Sequence, residues 1–531
     1  MQKPSNSKFV IGLTLVATLG GLLFGYDTAV ISGAVGSLQS FFIDSLQESS
    51  EKAGRVIWEY RLTVIAVILI IYFAISAILV KLFGNRKGIL YSIVIFGLMA
   101  IVIIYNFRAP ALLDEETANS IKGFTISSAL VGCILGGSIG GFISRKYGRR
   151  NGLLIAAILF AISAIGSSIP EKMNIFGVEN IIAFIIYRIV GGVGVGLASM
   201  LSPMYIAEIA PSSIRGKLVS WNQFAIIFGM LVVYFVNYTI SLKGDDQWLI
   251  DIGWRWMFAS ETIPAVIFLI LLLFVPETPR FLVMQNMETK ALQLLLKLDT
   301  PSLAQKVLDE IKESLKIKDV PWLSYGGLLI IIGIFLSVFQ QFVGINVVLY
   351  YAPEIFRNMG SRTDVSLLQT IIVGAVNLSF TILAIFTVDK FGRKPLQIIG
   401  ALGMAVSMVA LGFSFYLKSV GIGALIFMLF YTASFAMSWG PVTWVLLSEI
   451  FPNKIRGAMS IAVAAQWVAN LIISWTFPIM NDNTWLTDKF NHGFAYWIYG
   501  IMGVLAAIFV WKLVPETKGK SLEEIEGIWK R

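Results

Sequence analysis

The chain has 531 residues, 57% of them hydrophobic and 14% charged, and its formal net charge is +9. A typical soluble domain is about 25% charged, so this composition excludes an ordinary soluble protein and indicates a membrane protein. The positive residues lie in short loops between apolar runs, a pattern that sets membrane orientation and argues against a nucleic-acid partner. A single cysteine, Cys133, and a single histidine, His492, argue against a disulfide framework, a metal site or any cofactor.

Fourteen hydrophobic stretches are each long enough for a membrane-spanning helix of about 20 residues. No small-residue cleavage site follows the first stretch, so we expect a retained helix and not a signal peptide. In chain order the stretches are about 9–36, 62–82, 89–106, 121–143, 152–170, 180–201, 217–240, 256–275, 326–350, 367–388, 396–416, 421–447, 458–479 and 495–514. They predict an all-α polytopic membrane protein.

The loops between these stretches alternate in charge. Basic residues cluster at 81–87, 145–150 and 390–394, and acidic residues at 44–51 and 114–116. Short loops that are rich in Lys and Arg stay in the cytoplasm. We therefore expect the basic loops and both termini to be cytoplasmic in a cell inner membrane.

One mid-chain segment is predicted to lie outside the membrane. Between residues 280 and 320, apolar residues recur at helical spacing among charged ones, which is typical of amphipathic soluble helices. This cytoplasmic linker separates an N-terminal bundle, 1–279, from a C-terminal bundle, 321–516. A short cytoplasmic tail, 517–531, completes the predicted organisation.

The two bundles share three motifs in the same order. YGRR at 147–150 corresponds to FGRK at 391–394, AEIAPSSIRG at 207–216 to SEIFPNKIRG at 448–457, and PETPR at 276–280 to PETKG at 515–519. Arg149 precedes Glu208 by 59 positions, and Arg393 precedes Glu449 by 56. Two parallel repeats predict a two-lobed carrier with its binding site between the lobes.

Two charged residues lie inside otherwise apolar spans. Asp27 is in TLVATLGGLLFGYDTAVISGAVG and Arg188 is in IIAFIIYRIVGG. A charge at the centre of a spanning helix costs about 2.5 to 3.5 kcal/mol on insertion scales, so it needs a partner or a water-filled path. A static structural pair is one interpretation. The other is a proton-operated switch, in which protonation of Asp27 releases Arg188 and lets the lobes move.

Amide side chains are unusually frequent in one span of the C-terminal bundle. Gln340, Gln341 and Asn346 lie in IFLSVFQQFVGINVVLYY. Amides both donate and accept hydrogen bonds, as sugar hydroxyls do, and a tryptophan can stack on the apolar face of a sugar ring. Buried amides can instead join helices to one another. Amides in both bundles, together with Trp444 and Trp467, favour a sugar site.

Two glycine-rich runs, GGSIGG at 136–141 and GGVGVG at 191–196, lie inside spanning helices with no preceding strand. We interpret them as close helix packing and not as dinucleotide-binding loops. The chain contains no GxxxxGK[ST] phosphate-binding motif, which favours transport driven by an ion gradient. No catalytic constellation converges, so an enzyme is not expected.

At these motifs, and along strings such as GGLLFGYDTAVISG, FQQFVGINVVLYYAPE and WVLLSEIFPN, the chain resembles the sugar porters of the major facilitator superfamily. The resemblance implies two six-helix bundles that alternate access, and proton-coupled transport of a monosaccharide, with D-xylose expected. It places sugar ligands at Gln223, Gln340, Gln341, Asn346, Asn377, Trp444 and Gln466, and further cavity-lining positions at Phe24, Tyr350, Gly440 and Trp467.

The resemblance also assigns roles to charged residues. It places proton coupling at Asp27 and Arg188, with Glu261 as a possible accessory. Charged residues at the cytoplasmic helix ends are either orientation signals or a salt-bridge network between the lobes that closes when the carrier faces outward. They are Glu208, Arg215, Asp389, Arg393, Glu449 and Arg456.

The chain departs from the family pattern at three places. Met230 replaces a glutamine that contacts the sugar, which leaves sugar choice open. Arg145 replaces the usual Asp or Asn of the first cytoplasmic motif, which puts one gate salt bridge in doubt. The third departure is an inserted pair of spans, about 58–110, with a basic turn between them. We expect this hairpin to lie on the outside of the bundle, facing lipid or a partner, without a part in transport.

Two rival functions remain. A passive sugar facilitator would share the fold, although family facilitators usually lack the acid at Asp27. A sugar sensor built on the carrier fold usually has a long cytoplasmic tail, whereas this chain ends soon after Pro515. The expected partners are therefore a monosaccharide, a proton and the lipid bilayer.

Overall fold

The computed structural model describes residues 7–108, 113–211, 214–316, 320–520 and 522–529, and the regular structure in these residues is entirely helical. The principal helices are Ser7–Val30, Ser50–Arg108, Glu115–Tyr147, Arg149–Ser168, Asn180–Ile209, Arg215–Ser241, Trp254–Ser260, Thr262–Leu272, Pro279–Met284, Glu288–Leu298, Pro301–Lys316, Gly327–Phe342, Ile345–Asn358, Thr363–Phe391, Arg393–Tyr416, Ile422–Met437, Trp439–Ile450, Met459–Asn481, Thr484–Phe490, Gly493–Leu513 and Leu522–Trp529. Short 3-10, π and α turns connect several of them, as at 31–48, 246–253, 322–325 and 453–458.

Thirteen helical segments among the described residues are long and apolar enough to cross a membrane. One of them, Ser50–Ile101, folds back on itself and so supplies two crossings. The prediction of an all-α polytopic membrane protein is confirmed. We call the helices between residues 7 and 272, apart from 50–108, the N lobe, and those between 327 and 513 the C lobe.

The helix Ser50–Arg108 is a hairpin, which we call the inserted hairpin. Its turn is at Gly84, where φ is 77° and ψ is 166°, values that a residue with a side chain rarely adopts. The rings of Tyr72 and Phe96, each 12 positions from Gly84, lie 5.3 Å apart, as two antiparallel arms require. Both arms are largely exposed on the outside of the protein, which is the surface expected to face lipid.

The inserted hairpin nevertheless contacts the N lobe and the turn that precedes the C lobe. Near its start, the hydroxyl groups of Tyr60 and Ser120 are hydrogen-bonded at 2.8 Å, and Glu59 accepts from the backbone N–H of Glu179 at 2.7 Å. Near its turn, Lys81 Nζ lies 3.8 Å from the ring centroid of Trp322, just before the first C-lobe helix. The hairpin therefore extends along the side of the protein from the N lobe to the turn that precedes the C lobe.

Glycines bring two N-lobe helices into direct backbone contact. A Cβ on Gly136 would overlap the carbonyl oxygen of Val193, and a Cβ on Gly192 would overlap that of Ala129. The two helices, Glu115–Tyr147 and Asn180–Ile209, can approach this closely only because these positions have no side chain. The glycine-rich runs thus serve helix packing, as predicted.

Two C-lobe spans that the sequence predicts as continuous are broken. The first changes direction at Val343 and Gly344, where the φ of Gly344 is 92°, between Gly327–Phe342 and Ile345–Asn358. The second breaks at Ser438, between Ile422–Met437 and Trp439–Ile450. Tyr431 Oη donates to the carbonyl of Val343 at 2.8 Å and so supplies a partner at the first break. Interrupted helices of this kind often line transporter binding sites.

The segment between the lobes forms short amphipathic helices. Glu288–Leu298 and Pro301–Lys316 pack on Pro279–Met284 through a small separate apolar cluster of Val283, Ala291, Leu295, Ala304 and Leu308. Residues 317–319 lie outside the described part of the chain.

We name the two ends of the protein by their charges. The basic end is where the helices Arg149–Ser168 and Arg393–Tyr416 begin. The acidic end is the opposite one, where Glu115 begins its helix and Asp482 follows another.

Candidate functional site

Asp27 and Arg188 form a buried ion pair between two N-lobe helices. Arg188 Nη1 donates to Asp27 Oδ1 at 2.7 Å, and Nη2 donates to the backbone carbonyl of Asp27 at 2.9 Å. Asp27 is 0% exposed and Arg188 is 1% exposed. Removing one member of a buried pair typically costs about 3–5 kcal/mol because the other charge is left uncompensated.

A second carboxylate, Glu261, lies beside the pair. It is fully buried and near enough to Asp27 and Arg188 to interact with both charges. Neither of its carboxylate oxygens accepts a hydrogen bond from an N–H or hydroxyl donor of the described residues, and the same holds for Asp27 Oδ2. Two ionised acids and one guanidinium would leave a net negative charge in an apolar setting, which is costly. One proton taken up by the cluster would make it neutral.

Local packing keeps this cluster compact. A Cβ on Gly191, which belongs to the run GGVGVG, would overlap Ser163 Oγ and lie 3.1 Å from Asp27 Oδ1. The guanidinium carbon of Arg188 lies 5.3 Å from the ring centroid of Phe258, within the range of a cation–π contact. A glycine on one side and an aromatic ring on the other therefore hold the ion pair in place.

The predicted amides lie next to the broken C-lobe helices. Gln340 Nε2 donates to the carbonyl of Trp439 at 2.8 Å and to that of Gly440 at 3.4 Å, just after the break at Ser438. Gln341 accepts a hydrogen bond from Asn346 Nδ2 across the other break. Gln340 thus joins one interrupted span to the other, while Gln341 and Asn346 bridge the break within a single span. These contacts agree with the interpretation that buried amides hold helices together.

Acceptor groups remain available in the same region. The amide oxygens of Gln340 and Gln466 are buried and have no hydrogen-bond partner among the described residues. A buried acceptor without a donor costs about 1–3 kcal/mol, and a hydroxyl-bearing ligand would remove that cost. The predicted amides therefore combine hydrogen bonds that join helices with amide oxygens that have no donor among the described residues.

The other predicted sugar and cavity positions lie on helices of both lobes. Gln223 is half-buried on the N-lobe helix Arg215–Ser241, and Asn377 is buried on the C-lobe helix Thr363–Phe391. These two helices are in contact, since a Cβ on Gly374 would lie 2.8 Å from Tyr234 Cδ2. Tyr350 is buried and Trp444 is half-buried. The helices that carry Gln223 and Asn377 therefore meet between the two lobes.

Aromatic residues from the two lobes meet in the same region. The rings of Phe24, in the N lobe, and Trp467, in the C lobe, are 5.8 Å apart. Met230 is 7% exposed, and the backbone of its helix packs closely on Gly25. The helix of Met230 therefore packs on Gly25, the residue next to Phe24, whose ring contacts Trp467.

The charged residues at the basic end pair within each lobe. Arg149 donates from Nη2 to Glu208 at 2.7 Å in the N lobe, and Arg393 does the same to Glu449 at 2.9 Å in the C lobe. Arg215 donates to the carbonyl of Ala210 at 3.3 Å. The side chains of Asp389 and Arg456 lie outside the described part of the structure. No ion pair between the lobes is found at this end among the described side chains.

The sequence reasoning missed the two acids that complete these motifs. Glu277 accepts from the backbone N–H groups of Arg149 and Arg150, and Glu516 accepts from those of Arg393 and Lys394. Both are at the start of a helix, where a carboxylate is favourable. The repeated PET tripeptide was the available signal, because its acid occupies the same place in each lobe.

The described ion pairs between the lobes occur instead at the acidic end. Lys122, in the N lobe, forms ion pairs with the C-lobe residues Glu354 and Asp482. Trp475 Nε1 donates to the carbonyl of Ser120 at 3.0 Å. The charge of Lys122 inside a predicted span was a signal that the sequence reasoning left unused.

Comparison with known proteins identifies the family. A family model described as "Sugar (and other) transporter" matches residues 13–109 and 104–529. The chain belongs to this sugar transporter family. The prediction from the repeated motifs is therefore confirmed, and the protein is a membrane transporter and not an enzyme.

Two curated sugar transporters illustrate the range of its relatives. The D-xylose-proton symporter of Escherichia coli K12 is 53% identical over 543 aligned residues, covering 100% of this chain and 97% of the relative. The glucose facilitated diffusion protein of Zymomonas mobilis is 37% identical, covering 100% of this chain and 99% of the relative.

Solved structures confirm the major facilitator fold. The inward-open E. coli xylose transporter XylE gives a TM-score of 0.78 at 52% identity, covering 98% of this sugar transporter and all of that chain. XylE bound to 6-bromo-6-deoxy-D-glucose gives a TM-score of 0.73, covering 99% of this chain and all of the other.

Proposed function

We propose that this sugar transporter is a proton-coupled symporter that imports a monosaccharide, with D-xylose as its substrate, by alternating access. The observation that carries the proposal is the buried cluster of Asp27, Arg188 and Glu261 in the N lobe, together with the amides at the broken helices of the C lobe. The name of the relative at 53% identity supports the choice of sugar. Its location would be the inner membrane, with the basic end and both termini in the cytoplasm.

The contacts between the lobes assign a conformation. The lobes are joined at the acidic end, and the described ion pairs of the basic end stay within each lobe. If the basic end is cytoplasmic, this arrangement is the inward-facing state. The TM-score of 0.78 against the inward-open relative supports that assignment.

Proton coupling is proposed to work through the Asp27–Arg188 pair. In the inward-facing state the hydrogen bonds at 2.7 and 2.9 Å place Arg188 against an ionised Asp27. When the carrier faces outward, a proton would neutralise Asp27, weaken its hold on Arg188 and allow the lobes to move with the sugar bound. Entry of one positive charge is driven by about 2.3 kcal/mol per 100 mV of membrane potential.

Sugar binding is proposed to use the C-lobe amides, with a smaller contribution from the N lobe. Gln340 and Gln466 offer buried acceptor oxygens, while Gln341, Asn346 and Asn377 add further hydrogen-bonding groups. Trp444 would stack on the ring face of the sugar. Gln223 would contribute from the N lobe, so that a bound sugar touches both lobes and favours their closure.

The experiment is uptake into proteoliposomes with an imposed pH gradient, acid outside, and a panel of D-xylose, D-glucose and L-arabinose. We expect D-xylose to accumulate above its outside concentration, and an ionophore that dissipates the gradient to abolish that accumulation. Equilibration of the sugar without accumulation would instead identify a passive facilitator. Accumulation of another sugar in preference to D-xylose would contradict the proposed substrate.

The first testable variant is Asp27→Asn, which removes the ionisable group and keeps the shape. We expect it to lose gradient-driven accumulation and to retain exchange of labelled for unlabelled sugar, because binding and lobe movement do not require the carboxylate. Glu171→Gln is the matched control, since Glu171 pairs with Arg255 at 2.7 Å in a partly exposed position away from this cluster. Equal accumulation by Asp27→Asn and the control would exclude Asp27 as the coupling acid.

A further inference from the structure

We propose that Lys122 locks the lobes together at the acidic end and so sets how often the carrier opens toward the outside. The proposal rests on alternating access as proposed above, but it concerns residues outside the sugar and proton sites. It predicts that Lys122 controls the balance between inward- and outward-facing states without contacting sugar or the coupling proton.

Lys122 lies on the N-lobe helix Glu115–Tyr147 and is buried, with a side chain 4% exposed. Its ammonium group contacts Glu354 Oε1 on the C-lobe helix Ile345–Asn358. It also lies 2.7 Å from Oδ2 of Asp482, which follows a different C-lobe helix, Met459–Asn481. One N-lobe cation is thus held by two C-lobe carboxylates that come from separate elements.

The ion pairs of Lys122 can bias the equilibrium between inward- and outward-facing states because they exist only while the lobes are closed at the acidic end. A conformational state is favoured only by interactions that the other state lacks. With the lobes apart, the lysine and both acids would be in water and make no mutual contact. With the lobes together, each of the three charges is largely withdrawn from water, and the ion pairs compensate that burial.

The arrangement is also asymmetric in charge. Two carboxylates surround one ammonium group, and Glu354 Oε2 has no hydrogen-bond partner among the described residues. If the lysine were removed, two negative charges of the C lobe would be left close together in a poorly hydrated contact with no cation. Opening of the lobes at this end would let water solvate both carboxylates, so loss of the lysine would favour opening.

Two weaker contacts flank the lock. Trp475 Nε1 donates to Ser120 on the lysine side, and Thr484 donates from its backbone N–H and its hydroxyl to Glu115. Both also join the lobes. Thr484 and Glu115 are exposed, so this contact is worth less than the buried triad.

The internal repeat distinguishes the lock from the charged pairs of the basic end. Lys122 lies 27 positions before Arg149, and the position 27 before Arg393 is Ser366. Ser366 is buried and donates to the carbonyl of Thr363 within its own helix. The motifs at the basic end are repeated and stabilise each lobe, whereas the lysine occurs once and joins two lobes.

The test measures the distance between the lobes at the acidic end by electron–electron double resonance on spin-labelled, full-length protein in nanodiscs. Labels would be placed by Glu116→Cys in the N lobe and Asp488→Cys in the C lobe, both exposed positions, in a Cys133→Ala background. Lys122→Met is expected to raise the ratio of the longer to the shorter distance by a factor of about 100 or more, the order of effect of breaking a buried pair. Lys172→Met, at an exposed lysine, is the matched control and should leave the distribution unchanged.

Two further variants keep the proposal falsifiable if Lys122→Met does not fold. Glu354→Gln with Asp482→Asn leaves the lysine without counter-charges and is also expected to favour the longer distance. Combining both changes with Lys122→Met removes all three charges and should return the distribution toward that of the unmodified protein. An unchanged distribution in any folded variant with unbalanced charge would overturn the proposal. Because the measurement uses no sugar and no pH gradient, it does not depend on whether the carrier couples protons.

Discussion

The two ends of this carrier use the same chemistry for different purposes. At the basic end, Arg149 pairs with Glu208 and Arg393 with Glu449, in each case within a single lobe. At the acidic end, Lys122 pairs with two acids of the other lobe. A pair within a lobe survives every movement of that lobe and contributes to stability. A pair between lobes exists in one conformation only and contributes to switching.

This comparison predicts that neutralising one member of an ion pair has different effects on stability and conformation at the two ends. Neutralising an acid at the basic end should lower the thermal stability of one lobe. Neutralising the lysine at the acidic end should change the conformational equilibrium and leave the stability of each lobe almost unaffected. The ends can therefore be distinguished by measuring stability and conformation on the same variants.

The largest effect on stability is expected for Glu208→Gln. The side chain of Arg149 is 6% exposed and that of Glu208 is 12% exposed, so the variant leaves a nearly buried guanidinium with a weakened partner. We expect a loss of about 3 kcal/mol, the lower end of the range for a broken buried pair, seen as a lower midpoint of thermal unfolding. A midpoint equal to that of the unmodified protein would contradict the assignment of this pair to stability.

The matched change in the other lobe, Glu449→Gln, should have a smaller effect of the same kind. The side chains of Arg393 and Glu449 are 13% and 21% exposed, and water therefore screens the lost interaction more effectively. The expected loss is about 1 kcal/mol, measured in the same unfolding experiment. A larger loss for Glu449→Gln than for Glu208→Gln would show that burial does not determine the strength of these pairs.

The smallest effect is expected for the inserted hairpin. Deleting residues 63–106 and joining the flanking segments removes the membrane arms and keeps Glu59 and Tyr60, which contact the N lobe. Near the turn of the hairpin, Lys81 contacts Trp322, which precedes the C lobe, and a cation–π contact of this kind is worth about 0.5–1 kcal/mol at an exposed site. Sugar uptake by the deletion variant in proteoliposomes should therefore change by less than about fivefold. Loss of uptake in a correctly inserted variant would show that the hairpin takes part in transport.

Most of the fold could be predicted from local composition. Apolar runs of about 20 residues and repeated motifs are read directly from the sequence, and the all-helical membrane fold followed from them. The breaks at Gly344 and Ser438 were not predicted, because the expectation of continuous spans rested on overall apolar composition and not on the polar and glycine residues near each break, such as Gly344 and Gly440. A helix break depends on contacts such as the hydrogen bond from Tyr431 to Val343, whose partners are 88 positions apart.

The candidate site was predictable only in part, for a related reason. Asp27 and Arg188 were visible because each is a charge in an apolar span, and they lie in contact although they are 161 positions apart. Lys122 was equally visible as a charge, but its partners are 232 and 360 positions away. Nothing in the local sequence specifies which distant acids would meet it. The roles of the proposed sugar ligands remain predictions for the same reason.

The most direct test of proton coupling is to follow protons and sugar together. D-xylose would be added to weakly buffered proteoliposomes with no imposed gradient, and the external pH recorded. A symporter carries protons inward with the sugar, so the account predicts a transient rise of external pH that is abolished in Asp27→Asn. Sugar entry without any pH change in the unmodified protein, or an equal change in Asp27→Asn, would contradict it.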